Sequence, residues 1–354
     1  MNKSIANLAL LLLLFVVSGS FGQVSMTADS TDTSSSDVFS NSDFLPVKFT
    51  YSIKNLKRET NDSTYMNSVM TFQNPEGIDE EINVKIRTRG NYRLKNCYFP
   101  PIKLKISKEN SLGTIFQGYK RFKMVMPCIN ERDKNDNVVK EYMAYQLYEI
   151  VSPYFFKTRL ITISLEEQQR KKTKHHLMKG FLIEDDSHVA KRFDGNVYDR
   201  NVHPLQQETL TSVRNCFFQF MIGNTDFSQA YQHNIKLVFI DKSIVPIPYD
   251  FDMAGLVNCS YAVVSQIPNE KVNLGSVTDR LYRGFKRDRT IIEQVRQEFL
   301  SNQDEMMAVV NNLESAFDDQ REFQTAKEYV ESFFELISDE KKFQSKIIER
   351  LRSN

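Results

Sequence analysis

The chain has 354 residues, enough for one large two-part domain or two packed domains. Its 46 basic and 45 acidic side chains leave a formal charge of +1, which implies neither a polyanionic nor a strongly acidic partner and sets nucleic acid aside. A 41% hydrophobic content with 26 phenylalanines excludes a disordered chain and argues for a substantial core.

Lys3 precedes an apolar run over 8–17, and Ser18-Gly19-Ser20-Phe21-Gly22 supplies small residues for cleavage after Gly22. That run falls well short of the roughly 20 residues needed to cross a bilayer, so residues 1–22 read as a signal peptide. No later run is long and apolar enough to span a membrane, and the expected location is periplasmic, cell-surface or extracellular. Residues 23–43, rich in Ser, Thr and Asp, read as a flexible tether, with the folded unit beginning near Phe44.

Ile82, Val84 and Ile86 alternate with polar residues, which predicts a strand ending at Arg87-Thr88-Arg89-Gly90-Asn91. Guanidinium forks match phosphate oxygens, so this turn reads either as a phosphate clamp through Arg89 or as a hairpin turn with solvated arginines. After Pro100-Pro101, a strand over 102–106 sets Lys103 and Lys105 opposite Ile102, Leu104 and Ile106. Lys123, within Phe122-Lys123-Met124-Val125-Met126, competes with them for contact to the α/β-phosphates of a nucleotide. Glu141 is the candidate ion-pair partner, on a helix in which Met143, Leu147, Ile150 and Val151 recur on one side before Pro153. For each lysine the plain alternative is a solvated strand face.

Strands are expected over 159–165 and 175–184, joined by an exposed polar turn whose basic run Arg170-Lys171-Lys172 reads as a solvated tip. Phe181-Leu182-Ile183-Glu184 ends the second strand and is a candidate hinge beside an adenine, while Asp185-Asp186 fits an ordinary loop equally well. His175-His176 lacks the spaced companions of a zinc site.

Val213, Phe217, Phe220 and Met221 predict an amphipathic helix running up to Gly223-Asn224-Thr225-Asp226. His233-Asn234 follows, then a hairpin over 235–249 with a turn at Asp241-Lys242-Ser243, then Asp250-Phe251-Asp252. Phosphoryl transfer needs a carboxylate to orient the attacking hydroxyl and oxygen ligands for Mg²⁺ or Mn²⁺. Asp226 is the candidate base, Asn234 and Asp250 are candidate ligands, and Asp252 is either a further ligand or a turn cap. The bland reading is that these are turn residues bonding local backbone, and His233 reads as a hydrogen-bonded structural histidine. Downstream, Ile291, Val295 and Phe299, then Met306, Val310 and Leu313, then Tyr329, Phe333 and Ile337, then Phe343 and Ile347 give helical spacing. The four cysteines allow three pairings; Cys97 with Cys128 and Cys216 with Cys259 keep links local, and buried thiols are the alternative.

The order Gly-Asn-Thr-Asp, His-Asn, strand, Pro-Tyr-Asp resembles the atypical kinases of the HipA and spore-coat CotH groups, and the secreted CotH-like branch more closely. The resemblance extends upstream through the Arg87 to Asn91 turn, Pro100-Pro101-Ile102-Lys103-Leu104-Lys105 and Lys140-Glu141-Tyr142. It implies an α+β, two-lobed protein-kinase-like fold with a helical C-terminal part, divided into residues 44–184 and 185–354. It also implies γ-phosphoryl transfer from ATP, with Mg²⁺ or Mn²⁺, to a hydroxyl on an exported protein. Asp226 carries over as base, and Asn234 and Asp250 as ligands. The chain departs from the pattern in two places: 227–232 is expanded, and Asp250 is followed by Phe251-Asp252 rather than Phe-Gly. A non-catalytic envelope scaffold and an adenylyl-transferring enzyme are the alternatives.

Overall fold

A computed structural model describes residues 37–90, 92–129, 135–265, 267 and 272–353. The signal peptide expected over 1–22 and the first part of the expected tether lie outside the described residues. Seven strands close into a barrel: β1 (Leu45–Tyr51), β2 (Met66–Gln73), β3 (Asp79–Thr88), β4 (Ile102–Ile106), β5 (Arg121–Val125), β6 (Thr158–Gln168) and β7 (Thr173–Glu184). Their order around the barrel is β1-β2-β3-β4-β5-β7-β6. Neighbours run antiparallel except at the seam, where β1 pairs parallel with β6 from Leu45 opposite Ile161 to Tyr51 opposite Glu167. Alternation assigns the faces. Ile82, Val84, Ile86, Ile102, Leu104, Phe122, Met124, Ile161, Ile163 and Leu182 fill the interior, and Phe72, Phe116 and Phe122 pack edge to face there.

Short helices α1 (Ile53–Glu59), α2 (Tyr92–Asn96) and α3 (Lys108–Ser111) decorate the barrel, and α4 (Asn135–Val151) joins β5 to β6. After β7 come α5 (Asp186–Arg192), β8 (Asn196–Tyr198), α6 (Thr209–Met221) and the hairpin of β9 (Ile235–Ile240) and β10 (Ser243–Pro248), which forms a three-stranded sheet with β8. Helices α7 (Arg289–Ser301), α8 (Gln303–Asn312), α9 (Gln320–Ser338) and α10 (Glu340–Lys346) follow. None of the described helices is long and apolar enough to cross a membrane.

A second core lies outside the barrel. Val125, Phe181 and Ile183 point outward from β5 and β7 and pack with α4, α6, β9, β10 and the C-terminal helices. Helix α4 is buried nearly all round, as a helix held between two layers must be. Its Asp136 carboxylate accepts the N–H groups of Asp318 and Asp319 at 2.7 and 3.0 Å, and its Lys140 bonds Glu322 at 2.8 Å.

This architecture corrects the expected two-lobed protein-kinase-like fold. The barrel is closed by the parallel β1–β6 seam, so the strands leave no open sheet edge. The end of the expected tether is tied to the barrel: Val38 is buried and donates its N–H to Ile115 O, and Arg159 donates to the carbonyls of Asp43 and Val38, while residues 40–43 are exposed. Cys97 and Cys128 form a disulfide, whereas Cys216 and Cys259 are buried thiols 43 residues apart in sequence. Cys259 Sγ lies 3.1 Å from Asp252 O and Cys216 Sγ 3.6 Å from Gln229 Oε1.

The barrel interior has no spare volume at Gly180, where a Cβ would stand 2.6 Å from Ile163 Cδ1 and 2.7 Å from Val125 O. Gly180→Ala should therefore cost roughly 1–3 kcal/mol by overpacking. Urea unfolding checks this: the midpoint should fall with no change in slope.

Candidate active site

Asp226 is set by the end of α6. Helix α6 is capped at its start by the Glu208 carboxylate, which accepts from Leu210 and Thr211 N–H at 3.1 and 2.6 Å. It stops where Gly223 takes φ +63°, a conformation that favours glycine. A Cβ there would also lie 1.9 Å from the Tyr329 hydroxyl. Asn224 Oδ1 then accepts the Asp226 N–H at 2.8 Å, an Asx turn. Arg283 Nη1 bonds the carbonyls of Thr225 and Phe227 at 2.6 and 2.8 Å, so both flanks of Asp226 are pinned.

The β9–β10 hairpin brings Asn234 and Asp250 to its open end. Pro248 stands opposite Ile235, and Tyr249 N–H donates to Asn234 O at 3.1 Å. Asn234 Nδ2 donates to Asp226 O at 2.7 Å and Oδ2 at 3.1 Å, which leaves its Oδ1 as the atom to face a cation. Asp250 donates its N–H to the Tyr145 hydroxyl at 2.9 Å, while Phe251 is buried between Tyr145 and Phe218. Asn234 and Asp250 both hold positive φ, +53° and +65°. Non-glycine residues persist there only when their surroundings over-determine them, and such strain gathers at functional sites. His233 Nε2 lies 3.3 Å from Asp226 Oδ1, and this hydrogen bond raises the imidazole pKa against the opposing effect of burial.

Lys123 supplies the cationic side. It sits opposite Lys103 on the outer face of the β4–β5 pair, where the second core covers it. Only 7% of the residue is exposed; Nζ lies 4.5 Å from the Tyr249 ring centre and 4.8 Å from that of Phe156, with no hydrogen-bond partner. Nearby carboxylates face other cations: Asp185 pairs with Arg121 at 2.9 Å and lies 3.3 Å from Lys103, its Oδ2 making no hydrogen bond, and Asp186 lies 3.4 Å from Lys236. Burial pulls the Lys123 ammonium down to about 8; the charges of Arg89 and Lys236 add to that, against those of Asp186 and Asp185. Arg89, whose N–H bonds Pro101 O, has a buried Nε that also lacks a partner.

A third group lies behind Asp250. Glu141, expected as a lysine's ion-pair partner, faces Arg93 and Asp252 instead. The Tyr261 hydroxyl donates to Asp252 Oδ2 at 2.9 Å, and Arg93 Nη1 stands 3.8 Å from the same oxygen. Burial, then the Asp250 charge, pushes Asp252 up to about 6, and burial followed by Asp252 raises Glu141 well above the ordinary carboxylate range. Glu184 lies elsewhere: its buried carboxylate accepts from Arg192, His188 and Lys157 N–H. Lys105 is exposed, 6.0 Å over the Tyr65 ring. Sequence reasoning missed Arg93, Tyr145, Lys236, Arg283 and Ser265, whose Oγ lies 3.5 Å from Asp226 Oδ1; the significance of all five lies in contacts remote in sequence.

Among the described residues no three His, Cys, Asp or Glu side chains are grouped to hold a metal by themselves. The donor set fits a magnesium-type ion only in partnership with phosphate oxygens: one carboxylate, Asp250, one amide oxygen, Asn234, and adjoining cations for the phosphates.

Keeping Lys123 charged at neutral pH costs roughly 3 kcal/mol of stability, because its folded-state pKa lies below the unfolded value of 10.5. Between pH 8 and 10.5 the unfolded chain binds more protons, so this penalty is full below 8 and is relieved as pH rises to 10.5. Lys123→Met should therefore raise stability at pH 7 by about 1–3 kcal/mol and abolish that alkaline gain. Denaturant titrations at pH 7 and 10 measure both; a loss of stability would make Lys123 a structural residue. No protein-family model and no curated protein matches the chain.

Proposed function

We propose that the chain is an exported phosphotransferase that moves the γ-phosphoryl group of ATP to a hydroxyl on an exported protein, the activity its resemblance to CotH-like kinases implies. The observation that carries this reading is the buried Lys123 ammonium without a partner, beside the Asp250 end of the hairpin and with the orphaned Arg89 Nε. A buried cation left unpaired is costly, and a bound polyanion removes that cost. Phosphate oxygens are such a polyanion, and Lys123 and Arg89 are the groups to hold them.

Asn234 Oδ1 and the Asp250 carboxylate would be the groups to hold Mg²⁺ or Mn²⁺, which would offset the charge of the phosphates. Asp226, pinned on both flanks and bonded by Asn234 Nδ2, orients the acceptor hydroxyl and takes its proton. The Cys97–Cys128 disulfide supports the exported location, since such bonds persist in oxidising compartments.

The test incubates the mature chain with ATP labelled at the γ-phosphate and Mn²⁺ or Mg²⁺. Metal-dependent label transfer is expected, with Asp226→Ala lowering turnover at least about 100-fold while nucleotide affinity holds. Asp250→Ala should weaken metal-nucleotide binding as well. Transfer of α-label instead makes the enzyme an adenylyl transferase, and absence of metal-dependent ATP binding overturns the reading in favour of a scaffold.

Affinity should also depend on pH. Lys123 attracts phosphate while protonated, and burial lowers its pKa to about 8, so ATP binding measured by calorimetry should fall as pH rises from about 7.5, where ATP is fully ionised, past about 8. Lys123→Arg should carry the fall to higher pH.

A further inference from the structure

Arg93 stands in a place that phosphate contact does not explain. It is 92% buried on the five-residue helix α2, and Nε and Nη1 have no hydrogen-bond partner. Glu141 Oε1, also buried, has none either. Between them, with Asp252, Tyr261 and Cys128, lies a cavity of about 20 Å³, room for one water. An arginine that meets its carboxylates across a water-sized gap is not held there by direct hydrogen bonds to them; it is held from behind. Arg93 Nη2 donates to Met126 O, Tyr98 and Phe99 N–H both donate to Cys128 O, and Lys57 Nζ donates to Cys97 O at 2.6 Å. The Cys97–Cys128 disulfide, 31 residues apart in sequence, fastens α2 to the segment that leaves β5.

We propose that Arg93, fixed by the Cys97–Cys128 disulfide, is the positioning residue of the phosphotransfer site, and that closing this disulfide is the step that assembles it. Arg93 supplies the counter-charge for Glu141 and Asp252, two buried carboxylates immediately behind Asp250. Removing the guanidinium leaves Glu141 Oε1 and the Asp252 carboxylate around an emptied cavity with no cation to anchor them, and the segment carrying Asp250 and Asp252 moves. The proposal rests on the phosphotransferase reading and adds its control: the site forms only after the chain reaches an oxidising compartment.

The step balances. The two thiols lose two protons and two electrons to an external disulfide such as oxidised glutathione, which becomes two thiols as the Cys97–Cys128 bond forms. Cys216 and Cys259 are buried thiols bonded locally, so the chemistry is confined to one pair. Once closed, the bond is shielded, with Cys97 2% and Cys128 9% exposed, so it acts as a maturation lock rather than a reversible switch.

The test compares oxidised wild-type chain with chain refolded under a dithiol reductant, with Cys97→Ser/Cys128→Ser, and with Arg93→Met and Arg93→Lys in disulfide-intact protein. Calorimetry reads Mn²⁺–ATP binding and metal-free ATP binding separately. Both disulfide-free forms and Arg93→Met should lose Mn²⁺–ATP affinity by at least tenfold. Metal-free binding, governed by Lys123 and Arg89, should hold in Arg93→Met, and Arg93→Lys should recover part of the loss. Hydrogen exchange at the Asp250 amide should quicken in Arg93→Met. Should the disulfide-free chains fail to fold, Arg93→Met in the oxidised protein decides the matter. Wild-type Mn²⁺–ATP affinity in Arg93→Met, or in a folded Cys97→Ser/Cys128→Ser chain, overturns this proposal alone. Oxidised wild type that binds no metal–ATP overturns the phosphotransferase reading and this proposal with it.

Discussion

Everything in the molecule turns on the parallel pairing of β1 with β6. Seven residue pairs close the barrel along that seam, so no barrel strand is left with an open edge and the interior fills from all sides. Closure also fixes what the outside of β5 and β7 must do. Val125, Phe181 and Ile183 point outward and need cover, and α4 with α6 and the hairpin provides it. Lys123 belongs to that same outward face. A lysine on the outside of an uncovered barrel would be solvated; here it lies in the seam between two cores, without a partner. Its depressed pKa thus follows from closure and cover together.

Local periodicity was enough to locate most elements. The alternation of Ile102, Leu104 and Ile106 is β4, the helical spacing of Val213, Phe217 and Phe220 is α6, and the hairpin around Asp241-Lys242 is β9 and β10, with both turn residues at positive φ. What periodicity could not supply was closure, since Leu45 meets Ile161 across more than a hundred residues and nothing in either strand names the other. The polar turn expected over 166–174 is shorter than its composition suggested. Glu167 and His176 bond each other at 3.0 Å, with Tyr98 on the same carboxylate, and this buried cluster carries the strands onward to Gln168 and Thr173.

The candidate site divides along the same line. Asp226, Asn234 and Asp250 were legible because hairpin geometry is local: once β9 and β10 pair, residues 234 and 250 must meet. The cations were not. Lys103, Lys105 and Lys123 have the same strand-face signature, and their fates differ through contacts remote in sequence: Lys103 pairs with Asp185, Lys105 is exposed over Tyr65, and Lys123 is buried under Tyr249. Arg93 lies in a five-residue helix too short to carry a pattern, so its meeting with Glu141 and Asp252 has no sequence signal. Glu184 ended a readable strand, but His188 and Arg192 on the next helix take its carboxylate.

The charges also separate by origin. Arg89 and Arg93 come from the β3–β4 connection and Lys123 from β5, whereas Glu141 comes from α4, the helix that covers the barrel, and Asp226, Asp250 and Asp252 from segments beyond β7. Each set is a liability alone, since like charges in a buried site raise one another's cost. Facing each other they offset only in part: Arg93 meets Asp252 across 3.8 Å, and Lys123 Nζ meets no carboxylate within bonding distance. A fold under selection for stability alone would close those gaps or replace the charges with apolar groups of similar volume. The Cys97–Cys128 disulfide fixes Arg93 on one side of this gap and the Arg283 hydrogen bonds pin Asp226 on the other, and the phosphate oxygens and cation of the proposed ligand would complete the pairing.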